Sequence, residues 1–173
     1  FLLVVDEAHA VGVFGDKGEG LVQALGLQNQ VPFRIVTFGK GVGAHGAAVL
    51  CAQLIKEFLI NFSRSFIYTT ALPPYCISSL ESSYNEISKG EGTKEIANNI
   101  SNFKSVFEAQ DQSFLISSDS AIQCVLFSGN ELVRSVSLSL IKQGFDVRPV
   151  LSPTVKKGQE RIRVCLHTFN SNE

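Results

Sequence analysis

The sequence predicts an α/β fold with a mainly parallel sheet, followed by a small α+β domain. In the first half of the chain, short apolar runs alternate with helical patterns, as in parallel α/β sheets. In the second half, helical stripes are interleaved with three further strand-like runs. The stretch "KGEGT" at residues 89–93 breaks the pattern between them, so we expect domains at residues 1–90 and 91–173.

Three strands and two helices are predicted for the first half. The apolar runs at residues 2–5, 33–38 and 47–51 predict strands, and the Gly-rich segment "GKGVGAHG" predicts a loop between the second and the third. The segment "AQLIKEFLINF" has apolar residues at helical spacing, and "PPYCISSLESSYNEIS" begins at a proline pair that suits a helix N-terminus.

Two helices and three strands are predicted for the second half. Apolar side chains at Ile96, Ile100, Phe103 and Phe107 form one stripe of a helix over residues 93–110. Asn130 is a candidate N-cap for a second helix, which Gly144 would end. Residues 121–127, "FDVRPVL" and "RIRVCL" predict strands.

Composition excludes several classes of partner. The net charge of −1 gives no electrostatic footprint for nucleic acid or an anionic membrane. No apolar run approaches the roughly 20 residues that span a bilayer. The four cysteines and three histidines lack metal-ligand spacing, and three of the cysteines lie in apolar runs, so we expect buried, reduced thiols and a cytoplasmic protein without a metal. The chain has no Met and begins inside a strand-like run, which predicts a piece of a longer protein.

The letters Asp6-Glu7-Ala8-His9 spell the DEAH box of a nucleic-acid helicase. Such an enzyme needs a phosphate-binding loop of the form G-x-x-x-x-G-K-[ST]. The sequence "TFGKGVGAHG" instead places Gly41 after Lys40, and no basic stripe interleaved with aromatic residues is present. A helicase is therefore disfavoured, although its phosphate loop would precede Phe1.

A different chemistry follows from reading two strand ends together. Asp6 and His9 follow the first predicted strand, while Thr37 and Lys40 close the second. Functional groups gather at the carboxyl ends of parallel strands, so Asp6 and Lys40 are expected to face one crevice. A carboxylate that holds a proton on a pyridine nitrogen, and an amine that binds an aldehyde, suit pyridoxal phosphate.

Three motifs then carry a resemblance to a known family. "VVDEAHAVGVFGDKGEG", "IVTFGKGVGAHGAAVLC" and "RSFIYTTALPP" occur in this order, and the chain resembles the α-oxoamine synthases, which are fold-type-I pyridoxal-phosphate enzymes. The resemblance covers essentially the whole chain and corresponds to the second half of a family member. "TFGKGVGAHGAAVL" resembles the branch that joins L-alanine to a pimeloyl thioester (pimeloyl-CoA or a pimeloyl-carrier protein) in biotin synthesis.

The resemblance implies roles around the cofactor. Lys40 would be the Schiff-base lysine and the later acid/base, and Asp6 the partner of the pyridinium nitrogen. His9 would contact the cofactor near its phenolic oxygen and serve as a second catalytic residue, and Thr37 would hydrogen-bond the cofactor, expected at its phosphate. The residue that stacks on the ring and the phosphate-binding turn would precede Phe1, so the isolated chain is expected to be inactive.

The resemblance also implies a homodimer with a shared active site and two substrate contacts. Thr69 and Thr70 would reach the phosphate of the other subunit's cofactor. Arg163 would hold the amino-acid carboxylate with its guanidinium fork, and Thr154 would contact substrate. His45 departs from the small residues expected in its loop, and we assign it no role.

Simpler interpretations stand beside these roles. Asp6 alone suits a turn residue, Lys40 a solvated lysine, and His9 a packed histidine. The two threonines would also suit caps of the helix that begins at the prolines, and Arg163, which shares its face with Arg161, would also suit a pair with an acid such as Glu160.

Three other functions remain as alternatives. The first is glycine C-acetyltransferase or another α-oxoamine synthase, which would use a different amino acid and acyl group. The second is a fold-type-I aminotransferase, which "IYTTALPP" disfavours. The third is a binding or scaffold domain with a dead site.

Overall fold

The computed structural model describes residues 2–108 and 112–171. The chain divides into two compact units, Phe1–Lys94 and Glu95–Glu173. Each unit has its own sheet and its own core, and each is described by itself below. Helix α4 (Glu91–Glu108) begins at the predicted boundary and runs through the observed one, because "KGEGT" supplies the start of a helix rather than a linker.

The first unit contains a three-stranded sheet in the order β1-β2-β3. β1 (Val4–Asp6) pairs in parallel with β2 (Phe33–Thr37), which pairs antiparallel with β3 (Ala47–Cys51). The expected mainly parallel sheet is therefore mixed in this part of the chain. The loop from β2 to β3 is too short for the crossover of a dozen or more residues that a parallel connection needs.

One face of this sheet carries the core of the first unit. Val36 and Phe38 are buried on it, together with Val11 and Val42 from the loops. Leu80 and Ile87 of α3 (Pro74–Ile87) pack against this cluster, because the apolar positions of the helix recur at helical spacing. The other two helices of the unit are α1 (Leu21–Ala24) and α2 (Gln53–Phe62).

The second unit contains a four-stranded antiparallel sheet in the order β4-β5-β7-β6. The strands are β4 (Leu115–Ile116), β5 (Ile122–Leu126), β6 (Arg148–Val150) and β7 (Arg161–Cys165). Helix α5 (Asn130–Lys142) covers one face, where Val133, Val147 and Ile162 form the core. A short 3-10 turn (Gln112–Phe114) precedes β4.

The predicted elements of the two halves are present, with three local differences. β4 and α1 were not predicted, because each is too short to show a period. The N-cap of α5 is Gly129 rather than Asn130, whose side chain bonds elsewhere. None of the three cysteines in the apolar runs is fully buried: Cys51 and Cys124 are half-buried, and Cys165 is exposed because it ends β7 on the face opposite α5. Cys76 of α3, outside those runs, is the buried one among the four.

Candidate functional site

Asp6 and Thr37 lie on the same face and at the same end of the first sheet. The parallel register pairs Asp6 with Ile35, and Thr37 follows Ile35 by two residues, so all three side chains share a face. This face is opposite to the one that packs on α3, and Asp6 is exposed on it. The hydroxyl Oγ1 of Thr37 is buried and has no hydrogen-bond partner among the described residues.

The carboxylate of Asp6 shapes the turn that follows β1. Its Oδ1 accepts a hydrogen bond of 2.8 Å from the backbone N–H of Ala8. Asp6 is thus a turn residue, as the simpler interpretation predicts, and it uses one carboxylate oxygen, Oδ1, for this role. That bond occupies only one of the two carboxylate oxygens, and the turn leads directly to His9, whose side chain is exposed.

Glu7, beside Asp6, has a separate structural role that the sequence did not reveal. Its side chain is 1% exposed, because alternation along the strand turns it away from the face of Asp6. Its Oε1 accepts a 2.8 Å hydrogen bond from the N–H of Val22, and its Oε2 lies 4.0 Å from a guanidinium nitrogen of Arg34. Glu7 therefore fixes the Gly-rich segment that returns from the His9 loop.

Lys40 lies in a tight loop that links β2 to β3. The loop is closed by backbone hydrogen bonds from Ala44 to Phe38 (2.7 Å), from Phe38 to Gly46 (2.9 Å) and from Gly43 to Lys40 (2.9 Å). Val42 is 4% exposed and anchors the loop in the core. The side chain of Lys40 is exposed, three residues beyond Thr37.

The loop with His9 and the loop with Lys40 touch through their backbones. A Cβ on Gly41 would lie 2.5 Å from the carbonyl oxygen of Val11, and a Cβ on Gly12 would lie 3.2 Å from that of Gly41. Gly12 also has a φ of +83°, a conformation that favours glycine. The two glycines therefore permit an approach that side chains would prevent, and they bring the two loops together.

These features fit pyridoxal phosphate. A carboxylate, an unpartnered hydroxyl and an exposed amine follow adjacent strand ends. The buried Oγ1 of Thr37 is the sharpest sign, because a buried hydroxyl without a partner is costly unless a ligand satisfies it.

Thr69 and Thr70 do not cap the helix that follows them. The hydroxyl of Thr69 donates a 2.6 Å hydrogen bond to the carbonyl of Phe66, and the N-cap of α3 is Pro73, without a side-chain hydrogen bond. Thr70 is exposed. The preceding Tyr68 is fully exposed at a φ of 63°, which is unusual for a residue other than glycine.

A continuous stretch around these threonines exposes large apolar side chains. No residue of α2 is buried, and Phe58 and Phe62 stack on its surface with ring centroids 4.8 Å apart. The exposed apolar side chains of this stretch are Leu54, Phe58, Ile60, Phe62, Phe66, Ile67 and Tyr68. Leu54, Phe58 and Phe62 share one face of α2 at helical spacing, and large exposed apolar surface is typical of an interaction site.

Arg163 and Thr154 belong to the second unit. Arg163 lies on the sheet face opposite α5, and its Nε is buried without a hydrogen-bond partner in the described part of the chain. Arg161 shares that face, but its Nε donates a 2.9 Å hydrogen bond to the carbonyl of Gln159. Of the two arginines, Arg163 is thus the one whose Nε has no partner in the described part of the chain.

Glu160 does not pair with Arg163. It is 1% exposed, and its Oε2 accepts hydrogen bonds from the backbone N–H groups of Gly129 (3.1 Å) and Gly158 (2.8 Å). These bonds, first of all the one from Gly129, hold the pKa of Glu160 below its ordinary value. Glu160 thus joins the start of α5 to the loop before β7.

The segment with Thr154 is fixed by Asn130. The Oδ1 of Asn130 accepts a 2.9 Å hydrogen bond from the N–H of Ser152, and its Nδ2 donates one of 3.2 Å to the carbonyl of Ser152. Thr154 itself is exposed two residues later. An amide pairing with one backbone residue in both directions explains why Asn130 is not used as a cap.

The described residues also bear on metal binding and on membrane insertion. They contain no group of three or more His, Cys, Asp or Glu side chains arranged to hold a metal ion. Within the same residues, no helix combines the length and apolar character needed to cross a membrane.

Comparisons with known proteins give consistent matches. The family model of class I and II aminotransferases matches residues 1–173. The chain is 38% identical over 177 residues to an 8-amino-7-oxononanoate synthase from Emericella nidulans, with 98% of this chain and 43% of that protein covered. It is 38% identical over 166 residues to a synthase of the same name from Photorhabdus laumondii, with 95% and 42% covered. The chain therefore spans less than half the length of these relatives.

Solved structures agree with these relatives. An 8-amino-7-oxononanoate synthase from Francisella tularensis matches with a TM-score of 0.85 at 27% identity, covering 98% of this chain and 50% of that one. A serine palmitoyltransferase from S. paucimobilis, with a bound pyridoxal phosphate–myriocin aldimine, matches with a TM-score of 0.86 at 26% identity, covering 98% and 43%.

Proposed function

Because this chain belongs to the class I and II aminotransferase family, and within it to the α-oxoamine synthases, we propose that the protein that carries it is a pyridoxal-phosphate-dependent acyltransferase. The reaction is the condensation of L-alanine with a pimeloyl thioester to give 8-amino-7-oxononanoate. Two relatives of that name at 38% identity support this choice of substrates. The chain has the fold-type-I architecture of its neighbours in the region that it covers.

The observation that carries the proposal is the arrangement at the ends of β1 and β2. Asp6 and Thr37 share one face, and the loop of Lys40 is in backbone contact with the loop of His9. In a parallel α/β arrangement, ligands bind at this end of the sheet. The unpartnered Oγ1 of Thr37 supplies a donor that the cofactor would satisfy.

Each residue has a definite task in this reaction. When bound, pyridoxal phosphate provides the electron sink that stabilises negative charge at the amino-acid α-carbon. Asp6 would keep the pyridine nitrogen protonated, and His9 would contact the cofactor near its phenolic oxygen. Lys40 would hold the cofactor through its amine and would move the proton at the α-carbon of the amino acid.

The substrates define the rest of the reaction. The α-carbon of alanine loses a proton and forms a bond to the thioester carbonyl carbon, and the thiol leaves. The carboxylate of alanine leaves as carbon dioxide, and a proton returns to the α-carbon. Arg163 is proposed to hold that carboxylate, because its Nε is buried and lacks a partner among the described residues, and Thr154 contacts the same substrate.

We also propose a cytoplasmic homodimer with shared active sites. The exposed apolar stretch over residues 54–68 is the surface that would meet the second subunit. Thr69 and Thr70 follow it directly and would reach the phosphate of the partner's cofactor. Since the chain covers only 43% of a relative, residues 1–173 alone are expected to be inactive.

The test begins with covalent labelling. Borohydride reduction in the presence of pyridoxal phosphate should attach the cofactor to Lys40 of the full-length protein, as located by mass spectrometry. The Lys40→Ala variant should lose the label and the activity, whereas Lys142→Ala, an exposed lysine at the end of α5, should keep both. Labelling at another lysine would refute the assignment, and a labelled protein that prefers glycine and acetyl-CoA would correct the substrates.

A further inference from the structure

Arg148 lies directly beside Arg163 in the sheet of the second unit. The antiparallel register pairs Arg148 of β6 with Arg163 of β7, so their side chains share the face opposite α5. Cys124 is the neighbour of Arg163 on its other side. Two arginine side chains therefore start from neighbouring positions on the same sheet face.

Like charges directly opposite each other in a sheet destabilise it, and an anion bound between the two arginines would offset this repulsion. Asp146 lies 3.1 Å from Arg148, but both side chains are about three-quarters exposed (74% and 75%). An exposed ion pair of this kind contributes little and is easily exchanged for another carboxylate. Asp146 therefore leaves Arg148 available to a ligand.

The proposed reaction has two carboxylates to recognise. One belongs to the amino acid and leaves as carbon dioxide. The other is at the far end of the acyl donor, and the product, 8-amino-7-oxononanoate, retains it. An enzyme of this type must distinguish a donor with a terminal carboxylate from one with a terminal methyl group.

We propose that Arg148 is a specificity residue that binds the terminal carboxylate of a dicarboxylic acyl thioester, while Arg163 holds the carboxylate of the amino acid. This inference rests on the proposed function. The third arginine of the face, Arg161, is less suited, because its Nε already donates to the carbonyl of Gln159. Its register neighbours, Val150 and Leu126, are apolar. A guanidinium fork next to the one that takes the first carboxylate is the matching group for the second.

The test compares pimeloyl-CoA with heptanoyl-CoA, which has the same number of acyl carbons and a methyl end. In the full-length enzyme, Arg148→Gln should raise the KM for pimeloyl-CoA about tenfold with little change in kcat, because a charge-assisted bond made in both ground and transition states is lost. The values for heptanoyl-CoA should not change, and Arg148→Lys should restore part of the preference. Arg134→Gln, an exposed arginine on α5, is the matched control. An unchanged preference in Arg148→Gln, or an equal loss for both donors, would overturn the proposal.

A binding measurement separates this inference from the proposed function. NMR signals of the arginine Nε–H groups should shift when free pimelate is added, and heptanoate should shift the signal of Arg148 much less. In Arg148→Gln, pimelate should bind about tenfold more weakly, as expected for a lost charge-assisted bond. If the enzyme condenses no acyl thioester, the proposed function fails, and this titration still decides whether Arg148 recognises a terminal carboxylate. Equal effects of pimelate and heptanoate would refute it.

Discussion

Replacing Gly41 by alanine tests whether the contact between the two loops matters for the cofactor. The new Cβ would lie 2.5 Å from the carbonyl oxygen of Val11, and an ordinary contact begins at 3.4 Å, so the loops must separate by about 0.9 Å. Neither atom is on a flexible side chain, and Val11 is 5% exposed, so the backbone itself has to move. Overpacking of this kind costs about 1–3 kcal/mol of stability.

The displacement should affect the cofactor more than the fold. Lys40 immediately precedes Gly41, and His9 lies two residues before Val11, so the shift changes the distance between two proposed cofactor contacts. A misplacement of about 1 Å can cost about a hundredfold in a function that depends on position, so pyridoxal phosphate should bind roughly ten- to a hundredfold more weakly. The affinity is measured by titration, from the visible absorbance of the cofactor attached to Lys40.

Gly43→Ala is the matched control. A Cβ there meets no atom within 4 Å, but the φ of +67° costs alanine roughly 1–2 kcal/mol. Both variants should therefore lose similar stability in urea denaturation, while only Gly41→Ala loses cofactor affinity. The loop contact does not position the site if Gly41→Ala binds pyridoxal phosphate with the affinity of the wild type. The same holds if Gly41→Ala and Gly43→Ala bind it with equal affinity.

Two further predictions concern buried carboxylates. Glu7→Ala should lower the free energy of unfolding by about 3 kcal/mol, because Arg34 and a backbone N–H lose their partner, whereas Glu7→Gln, which keeps an acceptor, should cost about 1 kcal/mol. Urea denaturation measures the free energy of unfolding of both Glu7 variants. The control, Glu57→Gln on the exposed face of α2, should cost under about 0.5 kcal/mol. Equal losses for the two Glu7 variants would refute the hydrogen bond as the cause. The lowered pKa of Glu160 means that its charged form stabilises the fold above its ordinary value of 4.5, and that this contribution disappears as the pH falls through the folded-state pKa. The difference in Tm between wild type and Glu160→Gln should thus be largest near neutral pH and shrink in acid, and a difference independent of pH would contradict it.

The fold was largely predictable because its elements show clear periods. The strand over Ala47–Cys51 was predicted with its observed bounds, and the stripe from Ile96 to Phe107 lies on one long helix. The two-residue strand β4 is too short to be recognised from its own letters. The direction of β3 was not read from the sequence either, although the length of the loop before it was sufficient to decide it.

The sequence proposes a set of site residues, but it does not reveal the contacts that position them. The approach of Gly41 to Val11 joins positions thirty residues apart, and no local pattern announces it. The same holds for the pairing of Asn130 with Ser152, where a local rule for helix caps suggested a different partner. Long-range hydrogen bonds override local propensities because they satisfy buried polar groups that the local alternative would leave without partners.

Asp6 and Glu7 show how one strand end gives two adjacent carboxylates opposite tasks. Alternation along β1 places the first on the open face and the second in the interior. The interior carboxylate accepts a hydrogen bond from the N–H of Val22 through Oε1, and its Oε2 lies 4.0 Å from Arg34, so it serves the fold. Asp6, on the open face, accepts the hydrogen bond of its own turn with Oδ1, which leaves its second oxygen available to a ligand. The four letters of a helicase box therefore specify, at the end of this parallel strand, one structural acid and one acid suited to hold a pyridine nitrogen. Exchanging the two residues would place an unpaired aspartate, one methylene too short for Val22, in the core, and it should abolish both the stability and the cofactor site.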